Sequence, residues 1–239
     1  SVVAALPIHE DVGYIKVIRF AQNTAEEFEE AMEALDAAGM QHVMVDLRGN
    51  GGGYLNAVVP MVESFLSEDE VVVYTEGVHS ARRTYRARVD GQWKHWGLTV
   101  LVDESSASAS EIFAGAIQDN DRGFVVGRRT FGKGLVQEEF DVSGQGALRL
   151  TVARFHTPTG RAIQKPYGGA INYEDDYFAR YERGELFNAD SIKVVDSLKY
   201  VTPQGRMVHG GGGIVPDFFV PMDTSSWTSY LRDVSWSGL

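Results

Sequence analysis

Apolar residues along this chain fall into two kinds of stretch. Some are short runs rich in Val, Ile and Leu; in others the apolar positions return every three or four residues. The first run, Val12 to Phe20, contains GYIKVIRF, and its imperfect alternation predicts a strand covered on most of one face. A helix is predicted next. Thr24 stands three residues before Glu27, the spacing of a reciprocal capping box, and Phe28, Ala31, Met32 and Leu35 share one face. Gly39 supplies the left-handed residue that closes it. His42 to Leu47, HVMVDL, is so continuously apolar that burial on both faces is predicted. Leu55 to Leu66 reads as a second helix with Val58, Val59, Val62 and Phe65 inward. Pro60 lies in that run and cannot donate to the helical ladder, so it is expected in the first turn or at a kink.

Val71 to Thr75 is a further predicted strand. Beyond it Arg82, Arg83, Arg86 and Arg88 mingle with Tyr85, Trp93 and Trp96, and Asp90-Gly91 predicts a hairpin turn. Leu98 to Asp103, LTVLVD, is another strand of buried type, followed by a serine cluster and a helix over Ser110 to Gln118 with Ser110 as its N-cap. Strands follow at Phe124 to Val126, Leu135 to Phe140 and Ala147 to Phe155. Residues 166 to 200 are polar and tyrosine-rich, with an acidic patch at Glu174, Asp175 and Asp176, and predict a surface excursion with some helix. The chain returns through Gly210 to Gly213 and IVPDFFVP. Strand and helix alternate through the first half, which predicts an α/β layered fold with a mostly parallel central sheet. No internal repeat or low-complexity linker is present.

Composition narrows the function. A net charge of −11, with 33 acidic against 22 basic residues, argues against a nucleic-acid partner, which needs a basic face to meet phosphate. With no cysteine there is no disulfide frame, thiolate metal site or cysteine nucleophile. The six histidines are scattered and form no HExxH or HxxxH pattern, so neither metal nor cofactor is expected. No apolar run approaches the roughly 20 residues of a membrane span. The N-terminal SVVAALPIHEDVGY shows no basic region of a signal peptide.

Three stretches can carry chemistry. In ESSASASEIF a serine at a strand-to-helix turn would be exposed at the carboxyl end of a sheet, with the next N–H free for an oxyanion and a helix N-terminus behind it. Ser105, Ser106, Ser108 and Ser110 are equally explained as turn and cap residues. In TFGKGLVQ, Lys133 is flanked by Gly132 and Gly134, which allow a sharp turn. A lysine acts as a base only when neutral, which requires desolvation, and Phe131 and Val136 are the expected apolar wall. A surface lysine at a hairpin explains the same residues. Gln137, four residues on, could orient the amine only if the chain curls at a flanking glycine; it also reads as a plain strand residue. In DLRGNGGGYL the glycines at 51 to 53 lack the spacing of a phosphate loop and fit an oxyanion donor or a tight turn.

Taken together, SASASEIFAGAIQDN, GRRTFGKGLVQ, LRLTVARFHTPTGRAIQ, DLRGNGGGYL and GGGIVPDFFVP resemble, in order and spacing, the segments of the C-terminal processing peptidases, or tail-specific proteases. The resemblance implies Ser108 as nucleophile, Lys133 as general base and Gln137 orienting the lysine. It implies an oxyanion hole from the N–H of Ala109 and one of Gly52 and Gly53. It also implies a layered α/β core related to those of ClpP and crotonase, with flanking helices and extra strands. The implied partner is an unfolded polypeptide cut near its C-terminus, and the implied location the bacterial periplasm or cell envelope. A homo-oligomer is compatible with it. The family usually carries a PDZ domain ahead of the first matched strand, so residues 1–239 are expected to form a peptidase core without one, with residues 166–204 as a surface insertion. The rival expectations are a non-catalytic peptide-binding module that keeps the fold, and a crotonase-like acyl-CoA enzyme. The latter fits poorly with the acidic charge and the lack of an evident carboxylate pair.

Overall fold

The computed structural model describes residues 1–142, 144, 146–166 and 175–225. Strand β1 (Val2–Pro7) runs antiparallel to β2 (Val12–Val17) and was not foreseen in the sequence. Helix α1 (Thr24–Ala37) then leads to β3 (His42–Asp46), and α2 (Leu55–Glu63) follows the glycine-rich turn. The hairpin β4 (Val71–Glu76) and β5 (Arg83–Arg86) precedes β6 (Gly97–Val102), α3 (Ala109–Asp119) and β7 (Phe124–Gly127). The long pair β8 (Leu135–Val142) and β9 (Gly146–His156) comes next. After it lie α4 (Asp176–Glu182), the short pair β10 (Lys199–Val201) and β11 (Met207–His209), and β12 (Phe218–Phe219).

The central sheet has the order β1-β2-β3-β6-β7-β12 and is parallel from β2 to β12. Each crossover β2-α1-β3, β3-α2-β6 and β6-α3-β7 moves one strand in the same direction. Right-handed crossovers therefore put all three helices on one face. A second, antiparallel sheet of order β5-β4-β9-β8 packs on the far side of the helices through β4 against α3. The helical layer is thus the filling between two sheets. Its centre is Phe65, whose ring meets Phe28, Phe113 and Trp93 at centroid distances of 6.1, 6.3 and 6.5 Å. The expectation of burial on both faces fails for β3 and β6. Val43, Val45, Leu98 and Val100 are buried under the helices, while Met44, Thr99 and Leu101 on the opposite face are half-buried.

Helix α1 buries Phe28, Ala31, Met32 and Leu35 as predicted, and Gly39, at φ 82°, ends it. The N–H groups of Gly39 and Met40 donate to Asp36 and Leu35 carbonyls at 2.8 and 3.0 Å, which satisfies the last turn. Its N-terminus differs from prediction. Thr24 is the first helical residue, and its hydroxyl accepts the Ala21 N–H instead. Glu27 is drawn away to the Val2 N–H, which it accepts at 2.9 Å. Pro60 falls in the second turn of α2, not the first, and on its exposed side. Asp90-Gly91 is no hairpin: the Gly91 and Trp93 N–H groups donate to Leu66 and Ser64, sewing this stretch onto the end of α2. The true hairpin turn lies between β4 and β5.

The excursion is only partly on the surface. Arg180 and Glu185 are buried, as are Leu186 and Thr202. Glu174, one of the predicted acidic patch, lies outside the described residues, and Asp175 and Asp176 begin α4.

Candidate active site

Strand β6 ends beside β3, so the loops that follow them rise together at the carboxyl edge of the sheet. The serine loop is tied to the glycine-rich turn by its hydroxyls. Ser106 Oγ donates to Leu47 O at 2.8 Å and accepts the Asp103 N–H at 2.9 Å. Ser110 Oγ donates to Asn50 O at 2.9 Å, which also accepts the Ala107 N–H. Both serines are fully buried cross-links, so Ser110 is not the N-cap predicted for it. The N-cap is Ser108. It is half-buried with φ 58° and ψ −111°. Among the described residues only Asp69 and Asp121 share a positive φ without being glycine. Such a conformation costs on the order of 1–3 kcal/mol and persists only when its surroundings enforce it.

Gly52 is part of that enforcement. A methyl group on it would sit 2.7 Å from Ser108 Cβ and 2.6 Å from Ala107 O, and its own φ is 99°. Only glycine lets the two loops approach this closely. The turn is anchored by Asp46, whose buried carboxylate accepts Arg48 Nε and Nη2 at 2.9 and 2.7 Å and the Tyr14 hydroxyl at 2.7 Å. Burial alone would raise its pKa, but these hydrogen bonds outweigh it and hold Asp46 down at about 2. The Gly52 N–H donates to Asn50 Oδ1 at 2.9 Å and so faces its own loop. The N–H groups of Gly53 and Ala109 have no acceptor among the described residues. The Ala109 group opens the first turn of α3, where the helix dipole favours negative charge.

Glu111 joins this loop to the lysine segment. It is fully buried and accepts four hydrogen bonds. Oε1 takes Thr130 Oγ1 and Gly132 N–H, each at 2.6 Å; Oε2 takes Ser108 N–H and Lys133 N–H, each at 2.8 Å. The amide nitrogens of Ser108 and Lys133 are therefore no more than twice that distance apart. Burial pushes the Glu111 carboxyl up to about 7 against the pull of its four donors. In the sequence Glu111 stands only as the residue after Ser110 at the opening of the predicted helix. The signal was its place three residues after Ser108, the capping-box spacing.

The Lys133 side chain is exposed, and the expected wall does not form around it. The Phe131 ring instead lies 4.1 Å from Lys165 Nζ, and Val136 packs on the core. Gln137 is exposed on β8 just past an irregularity between Val136 and Gln137, opposite Thr151. Among the described residues no hydrogen bond joins the side chains of Ser108, Lys133 and Gln137. The structure thus unites the backbones of Ser108, Lys133 and the Gly52 turn, but leaves the lysine and glutamine side chains in solvent. No group of three or more His, Asp or Glu residues is placed to hold a metal ion among the described residues, and no described helix is long and apolar enough to cross a membrane.

These features define a layered α/β protein with a strained serine at a strand-to-helix turn, abutting a glycine loop and a lysine loop. A family model described as Peptidase family S41 matches residues 11–173, and the chain belongs to that family. It is 38% identical over 156 residues to a carboxyl-terminal-processing protease of Synechocystis sp., covering 65% of this chain and 36% of that protein. It is 40% identical over 156 residues to the chloroplastic carboxyl-terminal-processing peptidase 3 of Arabidopsis thaliana, covering 64% of this chain and 30% of that protein. Among solved structures, the photosystem II D1 C-terminal processing protease superposes with a TM-score of 0.61 at 36% identity, over 68% of this chain and 42% of that one. The chain thus spans 30% to 42% of the length of these relatives.

Proposed function

We propose that this chain is the catalytic core of a serine endopeptidase that cleaves unfolded polypeptides near their C-termini. Ser108 is the nucleophile, Lys133 the general base, and Gln137 orients the lysine. The observation that carries the reading is the shared acceptor: one buried oxygen of Glu111 fixes the backbone of both Ser108 and Lys133 at 2.8 Å. Neutral Lys133 takes the hydroxyl proton as Ser108 Oγ attacks the scissile carbonyl carbon. The oxyanion that forms is received by the N–H groups of Ala109 and Gly53. The C–N bond breaks, Lys133 returns its proton to the leaving amine, and the acyl-enzyme is hydrolysed by water that the same lysine deprotonates. Lys133 is exposed in the free chain, so a polypeptide lying over the cleft supplies the desolvation that a neutral lysine needs.

The exposure of Lys133 is also what favours the second reading, a peptide-binding module without catalysis. A serine-directed β-lactone probe separates them. Intact mass should rise by one adduct, mapped to Ser108, absent in Ser108→Ala and much slower in Lys133→Ala. An adduct that survives Ser108→Ala would overturn the assignment. By the same resemblance we place the protein in the bacterial periplasm or cell envelope, which cell fractionation tests.

A further inference from the structure

The family match stops at residue 173, yet the loop that carries Lys133 is gripped by residues beyond it. From one side Glu111 takes Thr130, Gly132 and Lys133. From another, Ile214 N–H donates to Thr130 Oγ1 at 2.7 Å and Thr130 N–H to Ile214 O at 3.1 Å. The third side is closed by α4 and the turn after it. Arg180, 2% exposed, donates from Nη1 to Thr130 O at 3.0 Å and from Nη2 to Arg129 O, while its Nε donates to Glu185 Oε1 at 2.8 Å. Glu185, 1% exposed, in turn receives both arms of Arg129 at 2.7 and 2.9 Å. Arg129 extends the chain of contacts to Gly212 O at 2.9 Å. At the start of α4, Asp176 pairs with Lys165 at 3.1 Å, and the Lys165 N–H holds Gly132 O at 2.9 Å.

We infer that residues 175–186 are a clamp that sets the position of the Lys133 loop, with Arg180 and Glu185 as positioning residues for the reaction. The inference rests on the reading of Lys133 as the base. Three features separate the clamp from ordinary packing. Arg180 spends two of its donors on consecutive backbone carbonyls at positions 129 and 130, so it fixes the path of the main chain rather than a side chain. Its guanidinium fork reaches three acceptors on two elements, a geometry that a lysine ammonium cannot reproduce. The carbonyls it holds lie three and four residues from Lys133, and the intervening Gly132, at φ 88°, gives the loop no stiffness of its own. A shift of about 1 Å at a catalytic group costs on the order of 100-fold in rate, so a loop held from outside makes rate depend on the clamp.

The test uses the full chain with Arg180→Lys, Arg180→Ala and Glu185→Gln. Cleavage kinetics on an unfolded peptide should show kcat lowered by about 10- to 100-fold with KM changed less than about threefold. In Arg180→Ala, guanidinium below denaturing concentration should restore part of kcat, and ammonium none. Amide hydrogen exchange provides a readout that needs no activity. Protection at residues 129–134 should fall in each variant, while β2, β3 and β6 keep theirs. Exchange that is unchanged at 129–134, or faster everywhere alike, overturns the clamp, as does an unchanged kcat in an active parent. A parent that cleaves nothing sinks the peptidase reading, and exchange then decides the clamp alone.

Discussion

Replacing Glu111 with glutamine removes an ionisable group at a point where four donors converge, and the pH dependence of stability reads the consequence. The native carboxyl is raised from 4.5 to about 7 by burial. Because the folded-state value lies above the unfolded one, the native state holds this proton more tightly. The stability that this group contributes is fully present below about 4.5 and is lost as the pH rises to about 7. At about 1.4 kcal/mol per unit, the loss amounts to roughly 3 kcal/mol, a large fraction of a typical 5–15 kcal/mol. Glutamine carries no such linkage. Its carbonyl can keep the Ser108 and Lys133 N–H groups, but an NH2 on the other side accepts neither the Thr130 hydroxyl hydrogen nor the Gly132 N–H, so two donors are left unmet. That costs about 1–3 kcal/mol for each at every pH. Urea unfolding of both proteins at pH 5 and pH 8 should therefore show the wild type ahead at pH 5 and its lead smaller by roughly 3 kcal/mol at pH 8. Other titrating groups cancel in the comparison. Equal changes in the two proteins between these pH values would mean that the folded-state Glu111 carboxyl is not raised.

Gly52→Ala should lower cleavage by at least about tenfold and stability by about 1–3 kcal/mol, because its methyl meets Ser108 and Ala107. Gly39→Ala, with nothing within 4 Å, should cost about 1 kcal/mol in thermal melts and leave cleavage unchanged. Asp46→Asn should remove stability in the wild type's favour near neutral pH. The native Asp46 is depressed from 3.8 to about 2, so its contribution of about 2 kcal/mol is present above 3.8 and disappears as the pH falls to about 2; acid titration followed by circular dichroism checks this. Arg161→Leu removes the cation that meets the buried Asp119 carboxylate at 2.6 Å, leaving it the Thr159 N–H and hydroxyl, and should cost about 3–5 kcal/mol in urea.

What the sequence made legible was local. The buried face of α1, the glycine that closes it and the positions of β3, β6 and α3 follow from period and turn chemistry, which depend on near neighbours alone. The errors share a non-local cause. The Thr24 and Glu27 pairing gave way because Glu27 accepts the Val2 N–H at 2.9 Å, on a strand that the period-2 signal of six residues did not announce. Asp90-Gly91 failed as a hairpin because Leu66 and Ser64, about 25 residues earlier in the chain, supply its acceptors. The excursion looked polar enough to be solvated. Its buried charges are instead paired within it, Arg180 on Glu185, and with Arg129 of the distant Lys133 loop, which composition cannot reveal. At the site, the motifs singled out Ser108, Lys133 and the Gly52 turn, whose backbones the fold brings together. The part of Glu111 was not legible, since only the folded chain shows that one carboxylate serves both loops.

Whether Ser108 and Lys133 act together in peptide cleavage is decided by incubating unfolded casein with this chain beside Ser108→Ala and Lys133→Ala and reading the fragments by mass spectrometry. The parent should cleave and neither variant should cleave above background, with all three proteins folded. Cleavage that persists undiminished in either variant would contradict their joint action.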